Sequence, residues 1–512
     1  MINTKIIKKH YLLIVFLIFL IGLIFFTHKD YGVTWDENIF LQVGKHFVAH
    51  ILDFLHFSHN LDIIKLSHND PHLQSHGVIF DIVNVFLSLL FKNFSFETYH
   101  LLKALSSLPT FIFLYLIINK LFNKNWALLA VILLLLFPRF YGDIFNNSID
   151  VPSITLLTIV IFSFLSFANS KKTPLQYVSL GLFSALLINQ RFIFWYIFFL
   201  GFLYLFINDI IRKENFVQSI VRLGILTIII LVFMHLTNPY LLSNPVLGIL
   251  GQIKTARSFP FYAADMFDGQ LVLAYQLPWY YIPKLMFITI PLATIFLFII
   301  GNFYLLSLII KKNEPIEKKF THFYLLLIFY LPLIIDFILR PTLYDSWRHF
   351  LFLTIPLIII SIYGGVAIAK TKNKILIWFA VILIGLNLLQ TAWKMKVLHP
   401  YQYIYYNSLV GGLPGAAGKY ETDYWGATMK EAVDWFNIHV NKPENTYYIL
   451  ANGDRLSSEY YFKKNMIFTD DYNKVKYIFA FTRWNFDKIY TGKIIYQVER
   501  EGVPLVIIKT FP

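Results

Sequence analysis

Along the first 394 positions the chain alternates long apolar runs with short polar connections. A helix needs roughly 16 to 25 apolar residues to cross about 30 Å of hydrocarbon. Eleven such runs occur, at about 11–27, 99–119, 125–140, 152–168, 174–189, 192–209, 221–237, 285–310, 321–339, 350–369 and 375–393. They predict a polytopic α-helical membrane protein, because backbone in lipid must satisfy its hydrogen bonds internally. A weaker stretch, 77–91, contains Asp81 and Asn84 and reads as an interfacial helix. The first run has the place of a signal peptide, yet Thr27-His28-Lys29 offers no small-residue cleavage site, so it reads as a retained span.

Beyond Trp393 the pattern becomes mixed and polar. After a glycine-rich segment at 411–415, read as flexible, positions 428–439 put Met429, Ala432, Val433 and Phe436 on one helical face. Segments 447–451, 477–481, 493–498 and 503–509 read as strands, the last two forming a hairpin around Glu501-Gly502. The expected organisation is therefore a membrane part, 1–393, with a long outer loop at 28–98, and a small extracytoplasmic α/β domain at 394–512.

Composition agrees, since 57% apolar and 14% charged residues leave too little polar surface to cover a soluble chain of this length. Basic residues orient the stack: Lys5, Lys8 and Lys9, then Lys120 and Lys124, Lys171 and Lys172, Arg212 and Lys213, 311–319 and 370–374 fill alternate connections. Cytoplasmic loops carry that excess, which places the N-terminus inside and the C-terminus outside. The net charge of +14 follows from these loops and from anionic lipid; no basic stripe with interleaved aromatics points to nucleic acid. Absence of cysteine excludes disulfides, thiolate metal sites and a cysteine nucleophile.

Of eighteen acidic residues before position 394, only Asp209, Glu214, Glu314 and Glu317 fall in predicted cytoplasmic loops. Three outer segments collect the chemistry. The first loop carries Trp35-Asp36-Glu37, Asp70, His72 and His76; the second runs from Pro138-Arg139 to Asp150-Val151-Pro152; the third reads Arg340-Pro341-Thr342-Leu343-Tyr344-Asp345-Ser346-Trp347-Arg348-His349. Carboxylates, guanidinium groups and imidazoles on one membrane face suit group transfer from a lipid phosphate. A carboxylate takes a proton from an acceptor hydroxyl while a cation neutralises the departing phosphate.

The Asp-Glu pair after the first span, the long first outer loop, a second Asp before the fourth span and a terminal outer domain together resemble the GT-C glycosyltransferases. More narrowly the chain resembles bacterial members of glycosyltransferase family 39, relatives of protein O-mannosyltransferases and lipid A aminoarabinose transferases. The stretches 138–152, Leu277-Pro278-Trp279-Tyr280-Tyr281 and 344–349 carry that likeness. The resemblance implies a polyprenyl-phosphate-sugar donor, a cell-envelope acceptor and inversion at the anomeric carbon. It makes Asp36 the base, Glu37 a residue positioning substrate or a cation, and Asp150 the second acid. By position, Arg348 with His349, Arg191 and Tyr344 are the substrate-binding candidates. No folded insertion is evident between 238 and 284, which argues against a protein acceptor.

Simpler readings stand beside these. Asp36 and Glu37 suit a helix start near Asn38, Asp150 suits capping before Pro152, and Arg348 and His349 suit interfacial anchoring. His68, His72 and His76 share a spacing that would align zinc ligands on a helix, but Pro71 interrupts it. Asp36, Glu37 and Asp150 together offer oxygen ligands for a divalent ion. The rival function, a transporter or flippase of a lipid-linked saccharide, would place ionisable residues in mid-span. Asp336 is the nearest approach to one, with Arg340 four residues on as its expected partner.

Overall fold

The structure, a computed structural model, describes residues 4–511 except 64–65, 67–69, 76, 78, 91–94, 169–172, 258 and 454. His68, His76, Lys171 and Lys172 therefore lie outside the described residues.

All eleven apolar stretches are helical. Among the described residues nine helices are long and apolar enough to cross a bilayer, and ten when Lys124–Leu135 and Pro138–Asn146, bent by 66°, count as one span. The bend falls where Pro138 opens the second helix, since proline lacks the donor that would continue the first. The remaining stretch is Pro174–Gln190, a helix of 17 residues. It runs back beside Asp150–Phe167, which has 18, and returns Arg191 to Asp150 at that helix's start. The two are thus antiparallel and nearly equal in length. Residues 285–310 divide into Tyr281–Thr289 and Leu292–Ile310 at Pro291.

Leu292–Ile310 and Thr354–Ala369 pack backbone against backbone. A Cβ on Gly301 would stand 1.9 Å from the Ile360 carbonyl oxygen, and one on Gly364 would stand 2.0 Å from that of Leu297. Small residues let membrane helices approach closely where apolar burial alone supplies no driving force. The span 348–369 is central and almost wholly buried, whereas Lys374–Leu398 is mostly exposed and lies at the bundle's edge.

The first loop contributes Trp35–Phe54, Pro71–Ser75 and Ile79–Leu90. With 12 residues the last is about 18 Å long, too short to cross, as expected of an interfacial helix. Within 238–284 lies a small hairpin, β1 (Ala264–Phe267) and β2 (Gln270–Leu273), which the sequence reading did not anticipate. Its turn is Asp268-Gly269, both with positive φ.

The C-terminal sheet comprises β3 (Tyr447–Ala451), β4 (Met466–Phe468), β5 (Tyr477–Phe481), β6 (Lys493–Arg500) and β7 (Val503–Thr510), in the order β4-β3-β5-β7-β6. β3 is parallel to both its neighbours, and β7 is antiparallel to both of its own. The four expected strands are present and β4 is an addition at the edge. Glu501 and Gly502 turn the β6–β7 hairpin with φ of 53° and 77°. Helix Met429–His439 buries the four predicted apolar residues against the sheet. The glycine-rich segment is a short helix, Gly412–Ala416, with Leu413 and Ala416 buried, rather than a flexible linker.

Candidate active site

Helix Trp35–Phe54 starts at Thr34, not near Asn38, so Asp36 and Glu37 both lie in its first turn. Their side chains take different directions. Glu37 is fully buried, and its carboxylate accepts from the Thr34 backbone N–H at 2.8 Å and the Thr34 hydroxyl at 3.2 Å. Lys103 Nζ approaches Oε1 at 2.8 Å, His100 Nε2 at 3.0 Å, and Asn146 Nδ2 donates to Oε2 at 3.2 Å. Burial pushes this carboxyl up, but the adjacent His100 and Lys103 more than offset it and hold it at about 2. Glu37 therefore closes the helix start and ties the first loop to Phe96–Ser106 and Pro138–Asn146.

Lys103 and His100 were missed as site residues. Both sit in the predicted span 99–119, and an ionisable residue within a span was itself the available signal. They are more deeply buried than Asp336, at 2% and 0% exposure against its 7%. Arg340 does not pair with Asp336 as expected; its Nε donates to the Phe337 carbonyl and its guanidinium lies over the Phe337 ring.

Asp36 points away from that cluster and forms an ion pair with Arg348 Nη1, its side chain 16% exposed. The other nitrogen of that guanidinium, Nη2, meets Asp345 Oδ2 at 2.9 Å. With both ends paired and 7% of its surface exposed, Arg348 is not a snorkelling anchor. Asp345 was not singled out, although it lies in the stretch that carried Arg348. Asp345 and Ser346 have φ of 57° and 65°, a left-handed turn that non-glycine residues adopt only under constraint.

Asp150 begins Asp150–Phe167 but is not its cap. The Asn147 side-chain oxygen accepts from the backbone N–H groups of Ile149 and Asp150 at 3.1 and 2.8 Å. That leaves the Asp150 carboxylate to receive Arg191 Nη2 at 2.6 Å and Asn147 Nδ2 at 2.9 Å. Arg191 leads from this pair into an open pocket, whose lining includes Thr255, Phe259, Tyr344, His349 and Phe350. Tyr344 stacks on Phe261 at 3.8 Å and meets His349 edge-on at 4.6 Å, while the Arg348 guanidinium lies 5.1 Å from its ring.

Three of the four expected binding residues, Arg191, Tyr344 and His349, thus line one pocket. Arg348 stands behind Tyr344 on the path to Asp36 instead of beside His349 in the lining. Among the described residues no three His, Asp or Glu side chains converge as a metal site. Glu37 faces Lys103 and His100, and Asp36 and Asp150 each face an arginine. The charges alternate in sign at one end of the bundle, as buried ions must to offset desolvation.

Residues 75–237 match the family model of dolichyl-phosphate-mannose-protein mannosyltransferases. No curated protein sequence matches the chain. Among solved structures, ArnT from Cupriavidus metallidurans in the apo state superposes with a TM-score of 0.52 at 12% identity, covering 97% of each chain. The same protein bound to undecaprenyl phosphate gives 0.52 at 11% identity and the same coverage. At such identity the likeness is one of fold, and it extends over the membrane helices and the C-terminal sheet alike. The chain is a multi-span membrane protein with the fold of the GT-C glycosyltransferases.

Proposed function

We propose that the protein moves a sugar from a polyprenyl-phosphate donor to a cell-envelope acceptor on the outer face of the membrane, inverting the anomeric carbon. The observation that carries this reading is the placement of Asp36: a partly exposed carboxylate in a helix first turn, paired to Arg348 beside a pocket lined by Arg191, Tyr344 and His349. The family match and the ArnT structure with undecaprenyl phosphate support a lipid-linked donor.

In this mechanism the acceptor oxygen attacks the anomeric carbon as the bond to the phosphate oxygen breaks. Asp36 takes the acceptor proton, and the electron pair of the broken bond leaves with the polyprenyl phosphate. Arg348 and Arg191 neutralise the charge growing on that leaving group, with His349 and Tyr344 shaping the pocket. Attack opposite the leaving group in one displacement gives inversion. Asp150 holds Arg191 at the pocket, and Glu37 fixes the turn that aims Asp36.

The test follows polyprenyl phosphate released from sugar-charged lipid by purified, reconstituted protein with envelope acceptor present. Asp36→Asn keeps the shape and removes the base, so transfer should be abolished while expression and donor binding remain. An active wild type with an undiminished Asp36→Asn variant refutes the assignment. Including EDTA in the same assay decides whether a divalent ion takes part.

A further inference from the structure

We propose that Arg483, contributed by the C-terminal segment after β5, is a positioning residue for the transfer reaction: it anchors Asp345 and Trp35 so that Arg348 stays aimed at Asp36. The inference rests on the glycosyl-transfer reading for its kinetic consequence, though not for its geometry.

The Arg483 side chain is fully buried and lines no pocket wall described above. Its Nη2 pairs with Asp345 Oδ1 and lies 3.4 Å from Asp265 Oδ1, while Nη1 donates to the Tyr424 carbonyl at 2.7 Å. Asp345 is thereby divided, one oxygen on Arg483 and the other on Arg348 at 2.9 Å. The result is a continuous line of alternating charge, Asp36–Arg348–Asp345–Arg483–Asp265. Burial pushes the Asp345 carboxyl up, and Arg483 and then Arg348 oppose that, so the charge of Asp345 depends first on Arg483.

A second route reaches Asp36 along the chain. The Arg483 guanidinium lies 4.8 Å from the ring of Trp35, the residue just before Asp36, and 4.6 Å from that of Trp484. The Trp35 N–H donates to the Trp425 carbonyl at 3.3 Å, next to the carbonyl that Arg483 itself holds. Backbone constraint is concentrated on both sides of the ion pair: Trp484 and Asn485 have φ of 54° and 58°, opposite the left-handed Asp345 and Ser346. Non-glycine residues persist in such conformations only where surrounding contacts hold them.

Without Arg483, buried Asp345 keeps Arg348 as its sole guanidinium partner. Its second oxygen is then free to draw Arg348 into a two-oxygen pair, away from Asp36. The bond between Asp36 and the cation that orients it weakens, although neither residue has changed.

Arg483→Met, Asp345→Asn and the double variant test this, with turnover separated into kcat and KM and with a structure of each purified protein. Arg483→Met should lower kcat by about a hundredfold, the usual cost of misplacing a reacting group by about 1 Å. KM for the donor lipid should rise with it, because Arg348 is also the proposed contact to the donor phosphate. Adding Asp345→Asn removes the carboxylate that captures Arg348 and should recover about tenfold of the loss, a non-additivity expected only of coupled neighbours. A double variant no faster than Arg483→Met, or an Arg483→Met variant with wild-type kcat, overturns the proposal.

The structural arm needs no substrate: the Arg483→Met structure should show Arg348 turned to Asp345 and parted from Asp36, and an unchanged Asp36–Arg348 pair overturns it. If Arg483→Met does not fold, Arg483→Lys, which keeps the charge but cannot span Asp345 and the Tyr424 carbonyl together, is judged by the same two readouts. A wild type that releases no polyprenyl phosphate from any lipid-linked sugar defeats the transfer reading, while the structural arm still decides the positioning claim.

Discussion

Glu37→Gln isolates the half of the Asp-Glu pair that faces inward, and its cost follows from two independent quantities. The carboxylate gathers five donor groups, from the Thr34 backbone and hydroxyl, Lys103, His100 and Asn146, with no exposure to solvent. A glutamine presents one oxygen and one NH2 group, so at least one of those donors would face another donor, and Lys103, 2% exposed, loses its counter-charge. Removing one partner of a buried ion pair costs about 3–5 kcal/mol.

The proton affinity gives a similar figure: holding the carboxyl at about 2 instead of 4.5 corresponds to roughly 3 kcal/mol, at about 1.4 kcal/mol per tenfold change. Because the folded-state value lies below the unfolded one, this stabilisation is complete above the unfolded value of 4.5 and is lost as pH falls through about 2. Thermal unfolding in detergent, followed by intrinsic fluorescence, should therefore show the variant several degrees less stable at pH 7. The gap should narrow by roughly half at pH 3. A variant as stable as wild type at pH 7, or a gap of equal size at both pH values, refutes the buried-anchor role.

Arg348→Ala should reduce turnover by on the order of a hundredfold, from loss of a preorganised charge at the leaving group. Donor binding and turnover near wild type in a folded protein would return Arg348 to a purely structural role. The proposed orientation expects a C-terminal tag to be labelled from outside intact cells, following the alternation of basic loops. Labelling only from the cytoplasm would overturn both the topology and the face on which the reaction is placed.

The helical part of the fold was legible because its rule is strict: backbone in lipid has almost no alternative to a helix, so run length alone locates elements. The C-terminal strands were legible as short β-branched and aromatic runs bounded by turn residues, as at Val503–Thr510, where Leu505 to Ile508 are buried without a break in a strand flanked on both sides. β4 escaped because Met466–Phe468 is only three residues long at a sheet edge. The β1–β2 hairpin carried a usable mark, Asp268-Gly269 between two short strands, since an Asp-Gly pair accommodates the two positive φ angles such a turn demands. Two strands of four residues are too short for the segment to stand out by pattern as a folded domain would.

The candidate site divides along a different line. Asp36, Asp150, Arg191, Tyr344, Arg348 and His349 were accessible to sequence reasoning because each is an ionisable or aromatic residue in a polar segment beside an apolar run, where charge is expensive unless used. What position could not supply is direction. Asp36 and Glu37 are adjacent, and because neighbours on a helix are turned about 100° apart, one reaches Arg348 and the other Lys103. Pairing was equally hidden: Arg348 answers to Asp36, 312 positions away, and Arg483 to Asp345, 138 positions away. Such partners are set by the way helices and sheet close on one another, which no local period encodes. Arg483 shows the limit most clearly, as one basic residue in a polar stretch whose electrostatic importance exists only after the C-terminal sheet has seated it between Trp35 and Trp484. Residues proposed to meet substrate lie beside the elements whose pattern is readable, whereas a partner such as Arg483 comes from wherever the fold brings the complementary charge.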